Sequence, residues 1–373
     1  MAGIYLHVPF CKQACYYCDF HFSTDTRHTE EMIQAMLREL ELRKGFIAGP
    51  LKTVYFGGGT PSLLSDVHLA SLLERIRDLY PIHPDAEITL EANPDDLSPE
   101  KLRALRQSGV NRLSIGIQSF DDAILKYLHR AHDSVAARRC LEESAKAGFH
   151  NLSLDLIYAI PGMTLASWKQ TLRQALNFGP AHLSAYGLTI EDRTVFGQWK
   201  KKNRLVQVSE EDAASQFESL QDILVDAGYE QYEISNFSLP GYHSRHNSSY
   251  WMQAHYLGIG PGAHSYDGAR RYLNVRNNAL YVKAISEGRL PAEEELLTRE
   301  NKINEYLLTR LRTQWGCNLL ELQKEFSDNL FVRRGTRLQH YQDQGLITIT
   351  NNILQLTRKG KLLADQITEE LMI

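Results

Sequence analysis

The sequence predicts an α/β protein: a partial (β/α)6 barrel, TIM-like but open, followed by a small winged-helix-like α+β domain at the C-terminus. Three observations carry that reading. In the first half of the chain short apolar strands alternate with polar stretches of helical period, the pattern of a parallel sheet with helices outside it. The alternation runs for about six units, short of the eight that close a barrel. After Trp199-Lys200-Lys201-Lys202 the pattern changes, and the chain from Glu300 onward reads as helices followed by a hairpin.

Taken in order, the strands are expected at 3–8, 53–56, 87–91, 112–117, 152–158 and 183–188, with helices at 29–44, 69–79, 99–108, 134–147 and 165–177 between them. The lysine run at 200–202 reads as a solvated surface turn. Ser209, with Asp212 placed as in a capping box, opens a helix that runs to about Ala227 and stops at Gly228. In the last unit Ile303, Leu307 and Leu311 share one helical face, and 346–349 and 353–356 form a hairpin about Asn351-Asn352. The expected divisions are 1–235 for the barrel, 236–299 for a connecting region, and 300–373 for the C-terminal domain.

A chain of 373 residues, 43% hydrophobic and 23% charged, can bury a large core. Its net charge of -4 gives no electrostatic footprint for nucleic acid, and the winged-helix-like unit has no basic stripe and ends in the acidic 368–370, so no nucleic-acid partner is expected. No signal peptide and no membrane-length apolar run is found; with free thiols, this points to the reducing cytoplasm. Cys140 and Cys317 lie far apart without ligand spacing and read as small buried hydrophobes.

Cys11, Cys15 and Cys18 follow the first strand directly, so three thiolates share one short loop. That is one ligand short of a closed zinc site or a fully coordinated cubane cluster, and leaves one iron of such a cluster open to an outside ligand. A three-thiolate zinc site is the nonredox alternative. Gly57-Gly58-Gly59-Thr60 ends the second strand, where glycine admits a close ligand. No Gly-Lys-Ser/Thr ending follows, which argues against a phosphate loop. Glu91 and Gln118 end the next two strands, Arg130 lies in the following helix, and Asp155 sits inside an apolar strand, where a carboxylate needs a partner.

The spacing C-x3-C-x2-C resembles the radical S-adenosylmethionine (SAM) family, and the order of the later residues resembles its oxygen-independent coproporphyrinogen III oxidase group. The resemblance spans nearly the whole chain, including 155–162 and the C-terminal domain. It implies a radical SAM barrel and a [4Fe-4S] cluster on Cys11, Cys15 and Cys18. It further implies S-adenosylmethionine held by Tyr5, Tyr17, Gly58, Gly59, Thr60, Glu91, Gln118, Arg130 and Asp155, with the open iron chelating the methionyl amino and carboxylate groups.

Two functions occur in that group. The oxidase carries a further cysteine two residues after the third, where this chain has Phe20, and a long segment ahead of its cluster, where only ten residues precede Cys11. His246-Asn247-Ser248-Ser249-Tyr250-Trp251 instead matches the H-N-x-x-Y-W motif of the haem-chaperone branch. The resemblance implies a chaperone that binds haem, with His246 as iron ligand, and transfers it to an acceptor haem protein, respiratory and in some cases membrane-associated. Tyr250 and Trp251 offer flat faces to the macrocycle, and Arg245, Arg270 and Arg271 are available to its propionates. The bland alternative makes His246 a hydrogen-bonded residue of a packed turn and Trp251 core. His7, His21, His255 and His264 compete as ligands. Radical decarboxylation of coproporphyrinogen III is the enzymatic alternative and is not expected.

Overall fold

A computed structural model describes residues 2–373. Six parallel strands form the centre of one sheet: β1 (Gly3–Val8), β2 (Leu51–Gly58), β3 (Ile82–Ala92), β4 (Arg112–Gln118), β5 (Leu152–Tyr158) and β6 (His182–Gly187). The helices between them are α1 (Thr29–Leu42), α2 (Asp66–Leu79), α3 (Pro99–Ser108), α4 (Asp122–Tyr127), α5 (Ser134–Lys146) and α6 (Leu165–Asn177). Each helix turns an apolar stripe to the sheet: Leu69, Leu72, Leu73 and Ile76 are the buried residues of α2, at helical spacing. Every residue of β4 is buried, as a parallel strand covered on both faces requires. The short helix α4, capped by Asp121, has no counterpart in the predicted set; six residues are too few to display a period.

The lysine run is solvated as expected, but only Lys202 lies in a turn. The run ends α7 (Val195–Lys201), whose Phe196 is fully buried, and places Lys200 and Lys201 in the last turn, where they suit the helix dipole. Ser209 caps α8 (Glu210–Asp226), its hydroxyl accepting from the Asp212 N–H.

On the far side of β6 come β8 (Asn236–Ser238), antiparallel to β6, and beyond it β7 (Glu230–Glu233), antiparallel to β8. Beyond α9 (Arg245–Trp251), the chain returns to the β1 edge. There β9 (Tyr256–Ile259) pairs parallel to β1, and β10 (His264–Tyr266), β11 (Arg270–Asn274) and, after α10 (Asn278–Ser286), β12 (Ala292–Leu296) extend the sheet antiparallel. Residues 236–299, expected as the region of the haem motif and a connection, thus supply five strands to the main sheet.

Glu39 of α1 anchors this extension although fully buried. Its carboxylate accepts from Gly260 N–H (2.9 Å), Asn274 Nδ2 (2.8 Å), Tyr281 Oη (2.5 Å) and Arg43 Nε (3.1 Å). A buried carboxylate is tolerated only when its lone pairs are used in this way.

The remaining chain forms a small α+β region around a core of its own, with Ile303, Leu307 and Leu311 buried together. It contains α11 (Arg299–Leu311), β13 (Cys317–Asn318), α12 (Leu319–Phe326), α13 (Leu330–Asp343), β14 (Ile347–Thr350), β15 (Ile353–Leu356) and α14 (Ala364–Leu371). Asn351 and Asn352 both take positive φ, as the two-residue turn of the predicted hairpin demands. Cys140 and Cys317 are buried thiols. No helix of the described residues is long and apolar enough to cross a membrane.

Candidate functional site

The carboxyl ends of β1–β6 open into one cavity of about 1050 Å³. Its first wall is the cysteine loop, which extensive backbone contacts hold in place. Cys11 N–H donates to Ser23 O, Tyr16 N–H to Leu128 O, and Phe196 N–H to Tyr16 O. The Tyr16 ring stacks on His129, centroids 4.3 Å apart. Cys11, Cys15 and Cys18 are free, half-buried and all line the cavity.

Two donors already address the sulfurs: Thr60 Oγ1 reaches Cys11 Sγ at 3.4 Å, and Arg130 Nη1 reaches Cys15 Sγ at 3.3 Å. Burial pushes the Cys18 thiol up to about 11 and raises Cys11 as well, with the neighbouring cysteines adding to both shifts. Burial thus favours the neutral thiols in the free chain, and a positive centre such as iron would favour the thiolates that bind it. The donor set therefore fits an iron–sulfur cluster.

The glycine run is tied to this loop by Gly59 N–H to Val8 O and Thr60 N–H to Phe10 O, at 2.8 and 2.7 Å. Gly58 has φ +104°, and a Cβ on Gly59 would stand 2.6 Å from the Phe10 carbonyl oxygen. These two glycines are thus demanded by the chain itself, before any ligand is considered.

Glu91 and Asp155 form the floor. Tyr55 Oη donates to Glu91 at 2.7 Å and Gly58 N–H at 3.2 Å, while Ser114 Oγ lies 3.2 Å from both Asp155 oxygens. Their exposure is to the cavity alone, and burial pushes Glu91 up to about 7 and Asp155 up to about 6. Arg130 spans the middle, donating to Gly116 O (2.9 Å), Asn93 Oδ1 (2.5 Å) and Tyr17 Oη (3.5 Å) as well as to Cys15. Gln118 enters the cavity because β4 breaks register with β5 and ends in a residue at φ +61°, a costly conformation outside glycine. Tyr5 lines it from β1, its hydroxyl sharing a hydrogen bond with His7 Nδ1 at 3.2 Å. All twelve residues read as cluster or S-adenosylmethionine contacts are thus brought to one cavity. Sequence reasoning missed Asn93, which holds both Arg130 and Thr60; its position two residues past Glu91 was the available signal.

The haem motif is placed differently. His246 is 1% exposed and does not line the cavity. Its Nδ1 shares a hydrogen bond with Thr53 Oγ1 and its Nε2 with Tyr250 Oη, each at 2.8 Å, so both ring nitrogens are engaged. Thr53 lies near the start of β2, about 16 Å of strand rise from the glycine run. Burial then holds the ring neutral, its pKa down to about 3. Glu87 accepts the N–H groups of Arg245 and His246 at the N-terminus of α9. Of the motif's aromatics, Tyr250 lines the cavity, whereas Trp251 packs under Arg312 of the C-terminal region. Arg245 donates to Asp85 O, Arg270 pairs with Glu294, and Arg271 lines the cavity but is held by Glu305 at 2.5 Å. Of the competing histidines, His7, His21 and His264 line the cavity and His255 does not.

A partial barrel with this cavity at its strand ends is that of a radical SAM protein, and residues 5–175 match the Radical SAM superfamily. Residues 297–363 match the HemN C-terminal domain. Over 99% of its length the chain is 37% identical to the heme chaperone HemW of Lactococcus lactis subsp. lactis (strain IL1403), covering 97% of that protein. It is 36% identical to the heme chaperone HemW of Bacillus subtilis (strain 168), over 98% of each chain. The chain belongs to the HemW family, within the HemN-like radical SAM proteins. Its fold is that of coproporphyrinogen III oxidase (HemN) from Escherichia coli, a radical SAM enzyme, with a TM-score of 0.85 at 23% identity, covering 100% of this chain and 90% of that one. Membership of the superfamily implies a [4Fe-4S] cluster and S-adenosylmethionine.

Proposed function

We propose that this chain is a haem chaperone, taking up haem on a radical SAM scaffold and passing it to an acceptor haem protein of the respiratory, membrane-associated kind. The observation that carries this reading is kinship over the full length, 37% and 36% identity, with two proteins named heme chaperone. In this account Cys11, Cys15 and Cys18 would hold the cluster, which would leave one iron for the methionyl end of the cofactor. Gly58, Gly59 and Thr60 lie along the methionyl chain, Glu91 takes the ribose hydroxyls, and Tyr17 lies near the adenosine. Tyr5, Gln118, Arg130 and Asp155 complete the cofactor's polar surroundings. When bound, the reduced cluster supplies one electron to the sulfonium.

The chain's own residues support each part. Thr60 and Arg130 donate to cysteine sulfurs and so favour the thiolate. Glu91 and Asp155, once ionised, balance a cationic cofactor. The cavity, about 1050 Å³, is at the upper end of the range for single-ligand sites.

Anaerobic reconstitution with iron and sulfide followed by haem titration tests the reading. A saturable, stoichiometric change in the haem absorption band is expected. A linear response indistinguishable from haem in buffer refutes it.

A further inference from the structure

The cavity has a second half, made of residues other than those assigned above to the cluster and S-adenosylmethionine. It is built by α9, β9, β10 and α11, and it presents Tyr250, Tyr256, Tyr266 and Leu308. The tyrosines adjoin one another, Tyr250 and Tyr256 at 4.5 Å between centroids and Tyr256 and Tyr266 at 6.3 Å. Tyr250 and Tyr256 meet edge to face and Tyr256 and Tyr266 are inclined at 39°, an aromatic lining that gives a planar macrocycle ring faces and edges to pack against.

Three histidines border the cavity, and their hydrogen bonds separate them. His7 is engaged at both nitrogens, with Tyr5 Oη at 3.2 Å and His21 O at 2.8 Å. His21 uses Nε2 on Asn278 Oδ1 at 2.8 Å. His264, half-buried, makes no side-chain hydrogen bond with any described residue. Burial, with Arg276 and Arg271 nearby, lowers its pKa below the ordinary imidazole value, leaving a neutral ring with a lone pair for a metal.

The arginines separate in the same way. Arg271 is committed to Glu305 at 2.5 Å. Arg276 is exposed at the rim and, among the described residues, forms no ion pair. Its stem crosses Gly262, where a Cβ would come within 3.2 Å of Arg276 Cγ. A guanidinium so placed is suited to a carboxylate of an incoming ligand.

We propose that His264 is the axial ligand of the haem iron and Arg276 the partner of a propionate, so that haem binds in the cavity that also holds the cluster. This rests on the haem-chaperone reading and replaces His246 as the ligand. His246 is then a residue of the packed core beneath the cavity, its Nε2 bonded to Tyr250 Oη at 2.8 Å.

Haem titration of wild type, His264→Ala, Arg276→Gln and His246→Ala, all anaerobically reconstituted, tests it. Wild type should give an imidazole-ligated spectrum. His264→Ala should lose that spectrum, weaken affinity about tenfold or more, and regain the spectrum on adding free imidazole. Arg276→Gln should weaken affinity about tenfold with the spectrum unchanged. His246→Ala, if folded, should keep the imidazole-ligated spectrum. A wild-type spectrum and affinity in His264→Ala overturns the inference, as does loss of the ligated spectrum in a folded His246→Ala. Saturable haem binding with either overturning result leaves the chaperone reading standing and removes only the ligand assignment; no haem binding by wild type removes both.

Discussion

Replacing Cys15 with Ala leaves a folded chain that cannot hold a four-iron cluster. The loop that carries Cys11, Cys15 and Cys18 is fixed by backbone bonds to Ser23, Leu128 and Phe196 and by the Tyr16–His129 stack, none of which involves a thiol. The circular dichroism spectrum and the melting midpoint of the iron-free protein should therefore match wild type. Bound iron and acid-labile sulfide should fall to a small fraction of the wild-type content, because two thiolates leave two irons open to solvent and oxidation. The same holds for Cys11→Ala and Cys18→Ala. Cys140→Ala and Cys317→Ala remove buried thiols in the helical layer and the C-terminal core, and should retain full iron and sulfide. Full cluster content in any of the three loop variants contradicts the assignment.

S-adenosylmethionine affinity should fall steeply as pH drops through about 7 towards 6. Glu91 and Asp155, pushed up to about 7 and about 6 by burial, are then protonated and no longer offer negative charge to a cationic cofactor. A ligand that prefers the ionised carboxylates lowers their pKa on binding, so titration calorimetry near neutral pH should detect proton release. In the ligand-free chain the sign is opposite. The folded state holds these protons more tightly than the unfolded state, so their contribution to stability is greatest below the unfolded carboxylate pKa. It is lost as pH rises to about 7. Glu91→Gln should flatten the pH profile and, with Asp155→Asn, weaken the cofactor by about ten- to a hundredfold. A pH-independent affinity in wild type between 6 and 8 contradicts this part of the account.

The six parallel strands were legible because each is a short run rich in apolar residues that alternates with a stretch of helical period, and the cluster loop because three cysteines in eight positions have few other uses. Glu91, Gln118 and Asp155 could be picked out because polar residues at the ends of buried strands are expensive without a purpose. The half of the cavity made by β9 and β10 was not legible as structure. Those strands are four and three residues long and joined through Gly260 and Gly262, both at positive φ, so neither shows a period. The setting of His246 was hidden for another reason. Its partner Thr53 lies 193 residues away, and no local pattern reveals which histidine of a motif will be engaged at both nitrogens. The lysine run misled because its charges mark only the end of α7, while the buried Phe196 that fixes the helix lies four residues earlier.

Phe20 bears on the choice between chaperone and oxidase. On the resemblance carried by the cysteine motif it stands where the oxidase would have a further cysteine, and it is 73% exposed at the cavity. It offers a flat apolar face and no thiol. The most direct test is product analysis of one anaerobically reconstituted sample, divided between haem and coproporphyrinogen III, the latter with reductant and S-adenosylmethionine. The account predicts stoichiometric haem uptake in the first portion and no protoporphyrinogen in the second. Protoporphyrinogen formed over many turnovers, and lost in Cys15→Ala, would contradict it.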